Sequence, residues 1–445
     1  MLDIADDIYK FCRGSPAFLF IRREENSLGE MHERKNNALT LNGGFMLLSI
    51  GIIILLGLII GWLCSKIRLP HIVGMLVAGI LLGPYCANVL DPAILDISGD
   101  LRKIALIIII AKAGLSLDIT DLKRIGRPAV MLCFVPATLE LLAFVLFAPK
   151  IMGVTTLQAA ILGAVMGAVS PAVTVPRLTK MMDDGYGVKK GIPQMLIAGA
   201  SADDIYVIVL FTTLVGLEAG GDMNAMSFLR IPAEIIFGAA LGALLGLGLA
   251  FYFKKIQIRD SLKVTIIMAF AMLLYWLEGL APVSGLLAVM AMGIAINRKR
   301  PVVAKRLGTK FSKLWVAAEI FLFVLVGSTV NIGYVTKAGI GMIIMLLIGL
   351  AFREVGTLLS VLGTGLNKKE ILFCLISQLP KATVQAAIGG VPLAMGLACG
   401  NTVLTMAVVS IVITAPLGAL GMDATMKKFI SKDKEDIQEE IKEDK

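Results

Sequence analysis

The chain has 445 residues, 57% of them hydrophobic and only 17% charged, and its mean hydropathy of +0.85 excludes a soluble globular protein. The net charge of +9 is spread between apolar runs and does not form one basic face, which argues against a nucleic-acid partner. Six scattered cysteines without CxxC spacing, and only His32 and His71 as histidines, exclude a disulfide framework and a His/Cys metal site.

In chain order, residues 1–43 balance acids against bases, and the apolar stretch from Ala17 to Ile21 is too short to span a bilayer. They read as an N-terminal surface segment, not a crossing or a cleaved signal peptide. From Gly44 to about Met422, apolar runs near the ~20 residues that cross a membrane recur between short polar stretches. Thirteen spans are expected, at 44–64, 69–86, 101–118, 126–148, 155–178, 191–217, 226–253, 262–279, 282–297, 315–333, 337–362, 369–391 and 398–423. Residues 424–445 form a charged tail.

Bases cluster after the odd-numbered spans, as in Lys123, Arg124 and Arg127 or Arg298 to Arg300. The positive-inside rule makes those loops and the tail cytoplasmic, and an odd span count places the N-terminus outside. A bacterial inner or plasma membrane is the expected location. Six spans precede the seventh and six follow it, so the second half is inverted relative to the first. The expected fold is an all-α polytopic membrane protein with two inverted six-helix repeats and crossed discontinuous helices.

The discontinuities are legible as prolines. Span five contains Ser170-Pro171 and span twelve contains Pro380-Lys381. A proline inside a helix removes one hydrogen bond and clashes with the preceding turn, freeing carbonyls at membrane depth. Matched breaks in two halves point to a site at the repeat interface. Ser170, Thr174, Thr383 and Gln385 lie beside the breaks and offer polar ligands.

Span six carries Asp203 and Asp204 in mid-membrane, where each acid costs about 2.5–3.5 kcal/mol unless it faces a wet cavity or a partner. Neighbours on a helix point about 100° apart, so one carboxylate can face a cavity while the other binds a basic group at its side. Two like charges out of water favour taking up a proton, and a hard oxygen ligand suits a small cation. No nucleophile–base pair with a histidine and no P-loop accompany them, so neither an enzyme nor an ATP-driven pump is expected, and no cofactor. Glu140 in span four and Arg353 in span eleven occupy counterpart positions and are expected to pair across the halves. Lys381 either neutralises freed carbonyls or pairs with Asp203. Lys112, Glu278, Glu319 and Glu354 read as snorkelling groups near span ends.

Leu69-Pro-His-Ile-Val-Gly-Met-Leu-Val-Ala-Gly-Ile-Leu-Leu-Gly-Pro84, Ala111-Lys-Ala-Gly-Leu-Ser-Leu-Asp118, Gly167-Ala-Val-Ser-Pro-Ala-Val173, the Asp203-Asp204 pair and Pro380-Lys-Ala-Thr-Val-Gln-Ala-Ala-Ile388 stand in this order. Together they resemble the monovalent cation/proton antiporter superfamily. The last segment, with Gly185-Tyr-Gly-Val188 and Gly191-Ile-Pro193, is most similar to the NHA-type sodium/proton antiporters. The resemblance covers roughly residues 45 to 423. It implies a homodimer moving by an elevator mechanism, with a dimerisation domain at 44–118 and 262–333, a linker helix at 226–253 and an ion-carrying core at 126–217 and 337–423. It further implies that Asp204 binds sodium or lithium and the competing proton, that Asp203 assists, and that Glu140, Arg353 and Lys381 are the functional charges. Animal members of this branch have an additional N-terminal crossing, which residues 1–43 lack.

The expected function is therefore sodium or lithium export against protons within the lipid bilayer, in the service of pH homeostasis. Potassium/proton exchange, sodium-coupled organic anion transport and a nontransporting ion sensor are the alternatives.

Overall fold

The computed structural model describes residues 45–116, 126–219, 225–256, 258–281, 283–330 and 332–432. The expected N-terminal surface segment lies outside the described residues, as does the tail from 433 onward.

Among the described residues the regular secondary structure is helical, apart from one isolated bridge between Tyr186 and Lys432. In chain order the helices are α1 Phe45–Lys66, α2 His71–Leu82, α3 Pro92–Asp96, α4 Ser98–Ser116, α5 Arg127–Leu132, α6 Val135–Met152, α7 Thr156–Met166, α8 Pro171–Asp183 and α9 Ile192–Glu218. The second half adds α10 Ala225–Lys255, α11 Asp260–Leu277, α12 Gly285–Lys299, α13 Pro301–Ser328, α14 Ile332–Val361, α15 Lys368–Ser377, α16 Thr383–Ile388, α17 Val391–Ala394 and α18 Gly400–Phe429. Eight helical stretches among the described residues are long and apolar enough to cross a membrane, and shorter apolar helices such as His71–Leu82 and Thr383–Ala394 accompany them. This is an integral membrane protein.

Three boundaries differ from the hydropathy reading, each for a local reason. The fourth expected span is two helices, because Pro136 cannot donate to the carbonyl four residues back and its ring crowds that turn. The tenth begins at Pro301 instead of 315: Val303, Ala304, Leu307 and Phe311 are buried on one face while Lys305, Arg306 and Lys310 face out, and this amphipathic turn is invisible to a mean-hydropathy window. The last helix runs to Phe429, past the expected start of the tail at 424, and Ile430 is buried in a cluster with Met181, Ile192 and Met422.

Helix packing divides into two groups. In one, α2 and α4 pack on α13, α4 also packs on α12, and α12 packs on α10 and α11. In the other, α6 packs on α14 and α7, α9 on α5, α7 and α8, and α18 on α15 and α17. Small residues permit the tightest crossings, since dispersion between closely approaching helices replaces the hydrophobic effect inside lipid. Gly238, Gly242 and Gly246, four residues apart on α10, lie directly against the backbone of Ser284, Ala288 and Met292 at or near α12. A side chain there would have no space. At the second crossing, Gly79 of α2 and Gly327 of α13 admit each other's helix backbone in the same way.

Candidate functional site

Two broken helices cross in the middle of the second group. The α7–α8 stretch opens between Met166 and Pro171, and the α15–α16 stretch opens between Ser377 and Thr383. A helix end leaves its last four carbonyls without intrahelical partners, and inside a membrane no bulk water supplies them. Side chains of the other broken stretch and of α14 do so here. Gln385 Nε2 donates to the carbonyls of Val165 at 3.0 Å and Ala168 at 2.9 Å, Lys381 Nζ to that of Met166 at 2.5 Å, and Arg353 to that of Gly167. The backbone joins in, with the Ser170 N–H donating to the Pro380 carbonyl at 2.7 Å.

Arg353, fully buried on α14, is the hub of this crossing. Its guanidinium donates to the Gln378 carbonyl at 3.0 Å, Gln378 Oε1 at 3.2 Å, Glu140 Oε2 at 3.1 Å and Asp203 Oδ2 at 2.8 Å, besides Gly167. A guanidinium has five N–H donors, so all are used. Lys381 adds a second cation on Glu140 Oε2 at 2.6 Å. The structure places Lys381 on a freed carbonyl and on Glu140; Asp203 is held instead by Arg353 and by the Val169 N–H at 3.0 Å.

The sequence-predicted residues therefore separate by role. Asp203, Glu140, Arg353, Lys381 and Gln385 are knotted into the crossing. Pro171 and Pro380 sit at the breaks themselves. Thr174 is spent on the Ser170 carbonyl of its own turn at 3.0 Å, while Ser170 Oγ lies 3.5 Å from Thr383 Oγ1. Asp204 turns away from the knot into a narrow cavity where Thr383 is its polar companion and Ile109 of α4, Ile208 of α9 and Met290 of α12 are among the apolar walls. This cavity lies between the two helix groups. Asp204 Oδ1 is shut off from solvent and has no hydrogen-bond partner among the described residues.

Charge counting makes the same separation. Glu140 and Asp203 are matched by Arg353 and Lys381, which leaves Asp204 and Glu354 as the carboxyl groups beside the cluster that make no ion pair among the described residues; of the two, Asp204 lines the cavity. No group of three or more His, Cys, Asp or Glu among the described residues could cage a resident metal. A single carboxylate with a hydroxyl neighbour suits a weakly held, exchangeable small cation or a proton.

Sequence reasoning missed three participants. Gln378 gives both its amide oxygen and its carbonyl to Arg353, and a glutamine two residues before the break proline was the available signal. Thr414 of α18 accepts from the Lys381 N–H at 2.9 Å. The cavity walls from α4 and α12 are ordinary apolar residues, with no sequence signal at all. The snorkelling reading also needs correction. Glu319 is buried and meets His71 Nε2 at 3.0 Å, Glu278 accepts from the Gly285 N–H at 3.0 Å, and both carboxylate oxygens of Glu354 are enclosed without a partner among the described residues.

Two broken helices crossing at membrane depth, beside a carboxyl group that faces a cavity without a cationic partner, define the architecture of a secondary ion transporter. The profile described as "Sodium/hydrogen exchanger, transmembrane" matches residues 51–428, and the chain belongs to that family. Its relatives include the mouse sodium/hydrogen exchanger 9B2, 33% identical over 394 residues that cover 84% of this chain and 71% of that protein. The human sodium/hydrogen exchanger 9B1 is 31% identical over 387 residues, covering 82% and 73%. Among solved structures, the sodium proton antiporter MjNhaP1 from Methanocaldococcus jannaschii at pH 8 shares the fold, with a TM-score of 0.75 at 19% identity over 88% of this chain and 99% of that one.

Proposed function

We propose that the chain is a secondary antiporter exchanging sodium or lithium for protons, with both ions competing for Asp204. The observation that carries this reading is the separation of the two adjacent acids: Asp203 is ion-paired with Arg353, while Asp204 makes no ion pair among the described residues and lines the cavity. Asp203 fixes the backbone of the first break through Val169 and thereby sets the position of its neighbour. Thr383, at the start of α16, supplies a second oxygen.

The location of the cavity supports a moving-carrier cycle. Its walls come from both helix groups, whereas the charged knot lies wholly within one. The group containing α5–α9 and α14–α18 is the ion-carrying core, the group containing α2, α4 and α11–α13 is the dimerisation domain, and α10 links the halves. Vertical displacement of the core past the other group carries Asp204 from one side of the membrane to the other. The assembly is a homodimer. The basic helix ends, including Lys299, Arg300, Lys368 and Lys427, face the cytoplasm. The relatives named above are vertebrate proteins and lend nothing to a bacterial placement.

Reconstitution into proteoliposomes tests the assignment. Asp204→Asn is expected to abolish sodium-driven proton movement while leaving the knot around Arg353 and the thermal stability intact. Persistent exchange in that variant would show that another group carries the ions.

A further inference from the structure

The walls of the Asp204 cavity close on one another at one end. On α4 they include Ala113, Ile109 and Leu106, taken toward the start of that helix, and on α16 Thr383, Val384 and Ala387, taken toward its end. One further turn along each row reaches Arg102 on α4 and Gly390 in the turn that follows α16. These two residues meet. A Cβ at Gly390 would land on Arg102 Nη1, so the guanidinium lies directly over the bare backbone of that turn. Because α4 belongs to the helix group of α12 and α13, and Gly390 to the group of broken helices, the contact spans the same boundary as the cavity.

Arg102 is costly where it stands. It is only 8% exposed, and it makes no ion pair among the described residues. The charges beside it on α4, Asp100 and Lys103, are paired with each other at 2.9 Å. Its one hydrogen bond to a described residue runs from Nε to the Ser98 carbonyl at 3.2 Å. A charged group held in a membrane helix without a counter-ion loses solvation that nothing nearby returns, which makes a purely stabilising role a poor account of it. The contrast with Arg353 is direct. That guanidinium is fixed by five hydrogen bonds, whereas Arg102 is held by one and is able to leave.

We propose that Arg102 is a gate: seated on Gly390, its guanidinium closes the end of the Asp204 cavity where α4 begins, and it withdraws when the two helix groups move past each other. The inference rests on Asp204 as the carrier site and adds the group that controls access to it. Steric closure comes from the side chain filling the gap over Gly390, and electrostatic closure from a like charge in a medium of low dielectric, which repels an approaching cation. The gated end lies on the face opposite Lys66 and Arg68, since α2 runs between Arg68 and the turn that leads to α3 and α4. With the basic helix ends toward the cytoplasm, Arg102 governs entry and release on the outer side.

Thiol labelling of the full chain in nanodiscs tests the gate without any flux measurement. An Ile109→Cys variant places a thiol on the cavity wall, the probe is the cationic reagent 2-(trimethylammonium)ethyl methanethiosulfonate, and peptide mapping separates this thiol from the native cysteines. Cys374, buried beside Phe373 and away from the cavity, is the internal control. Adding Arg102→Ala is expected to speed modification at position 109 about tenfold or more, with Cys374 unreacted, because a like charge no longer guards the cleft. Arg102→Lys keeps the charge and should label almost as slowly as the parent. Equal rates with and without Arg102 would overturn the gate, as would parallel acceleration at Cys374, which reports general loosening. Arg102→Lys labelling as fast as Arg102→Ala would overturn the electrostatic closure. Gly390→Ala pushes the guanidinium off its seat from the other helix group; it should also speed labelling, and it serves if Arg102→Ala does not fold. Labelling as expected, together with exchange that persists in Asp204→Asn, would put the fault in the carrier assignment; unaltered labelling with Asp204→Asn inactive would put it in the gate.

Discussion

Glu140→Gln separates charge from shape in the buried knot. In the native protein Glu140 Oε2 is shared by Arg353 at 3.1 Å and Lys381 at 2.6 Å, and all three side chains are fully buried. The amide fills the same space but leaves two cations with Asp203 as their only directly paired carboxylate. Breaking a buried pair by removing one partner costs about 3–5 kcal/mol, because a charge remains uncompensated. Arg353 keeps four of its five hydrogen bonds, to Gln378 twice, Gly167 and Asp203, so the lower end of that range applies. A long chain shifts by roughly 2 °C or less per kcal/mol, and the expected fall in melting temperature is about 4–6 °C. Thermal denaturation in detergent measures it. Adding Lys381→Met removes the excess cation, so the double variant should be more stable than the sum of the two single losses by about 1–3 kcal/mol. Native-like stability of Glu140→Gln, or strict additivity in the double variant, would refute the view that charge holds the crossing together.

Asp203→Asn should lose stability as well as exchange, since it releases Arg353 and Val169, whereas Asp204→Asn should lose exchange alone; melting curves and proteoliposome flux on the same preparations distinguish them. Gln385→Ala leaves the carbonyls of Val165 and Ala168 unsatisfied at about 1–3 kcal/mol each, visible as a lower melting temperature. Gly242→Val drives a side chain into the backbone of Ala288, and the parting of α10 from α12 should cost about 1–3 kcal/mol in the same assay. If sodium and a proton exclude one another at Asp204, the apparent sodium KM rises about tenfold per unit of acidification below the pH at which the site releases its proton. A KM that stays flat while the maximum rate falls would point to separate sites.

Much of the site is legible in the sequence because the membrane makes polarity costly. Asp203, Asp204, Glu140, Arg353 and Lys381 stand out from apolar surroundings, and Pro171 and Pro380 mark where helices cannot continue. Partnership is harder to read. Lys381 had two available destinations, the freed carbonyls or Asp203, and the crossing directs it to Met166 and Glu140. Glu319 and Glu354 have the sequence positions of groups able to reach the membrane surface, yet the packing of neighbouring helices encloses both carboxylates.

Composition and hydropathy alone determined that this is a helical membrane protein, where its helices break and which side chains are too costly to be idle, because each of these follows from local chemistry in a solvent without water. Only the tertiary structure decided that Asp203 pairs with Arg353 while Asp204 lines the cavity without an ion pair among the described residues. That choice depends on how α9 is rotated against the two broken stretches, a long-range packing outcome that no spacing along the chain encodes. The meeting of Arg102 with Gly390 is of the same kind, since the start of α4 and the turn after α16 are brought together only when the two helix groups assemble.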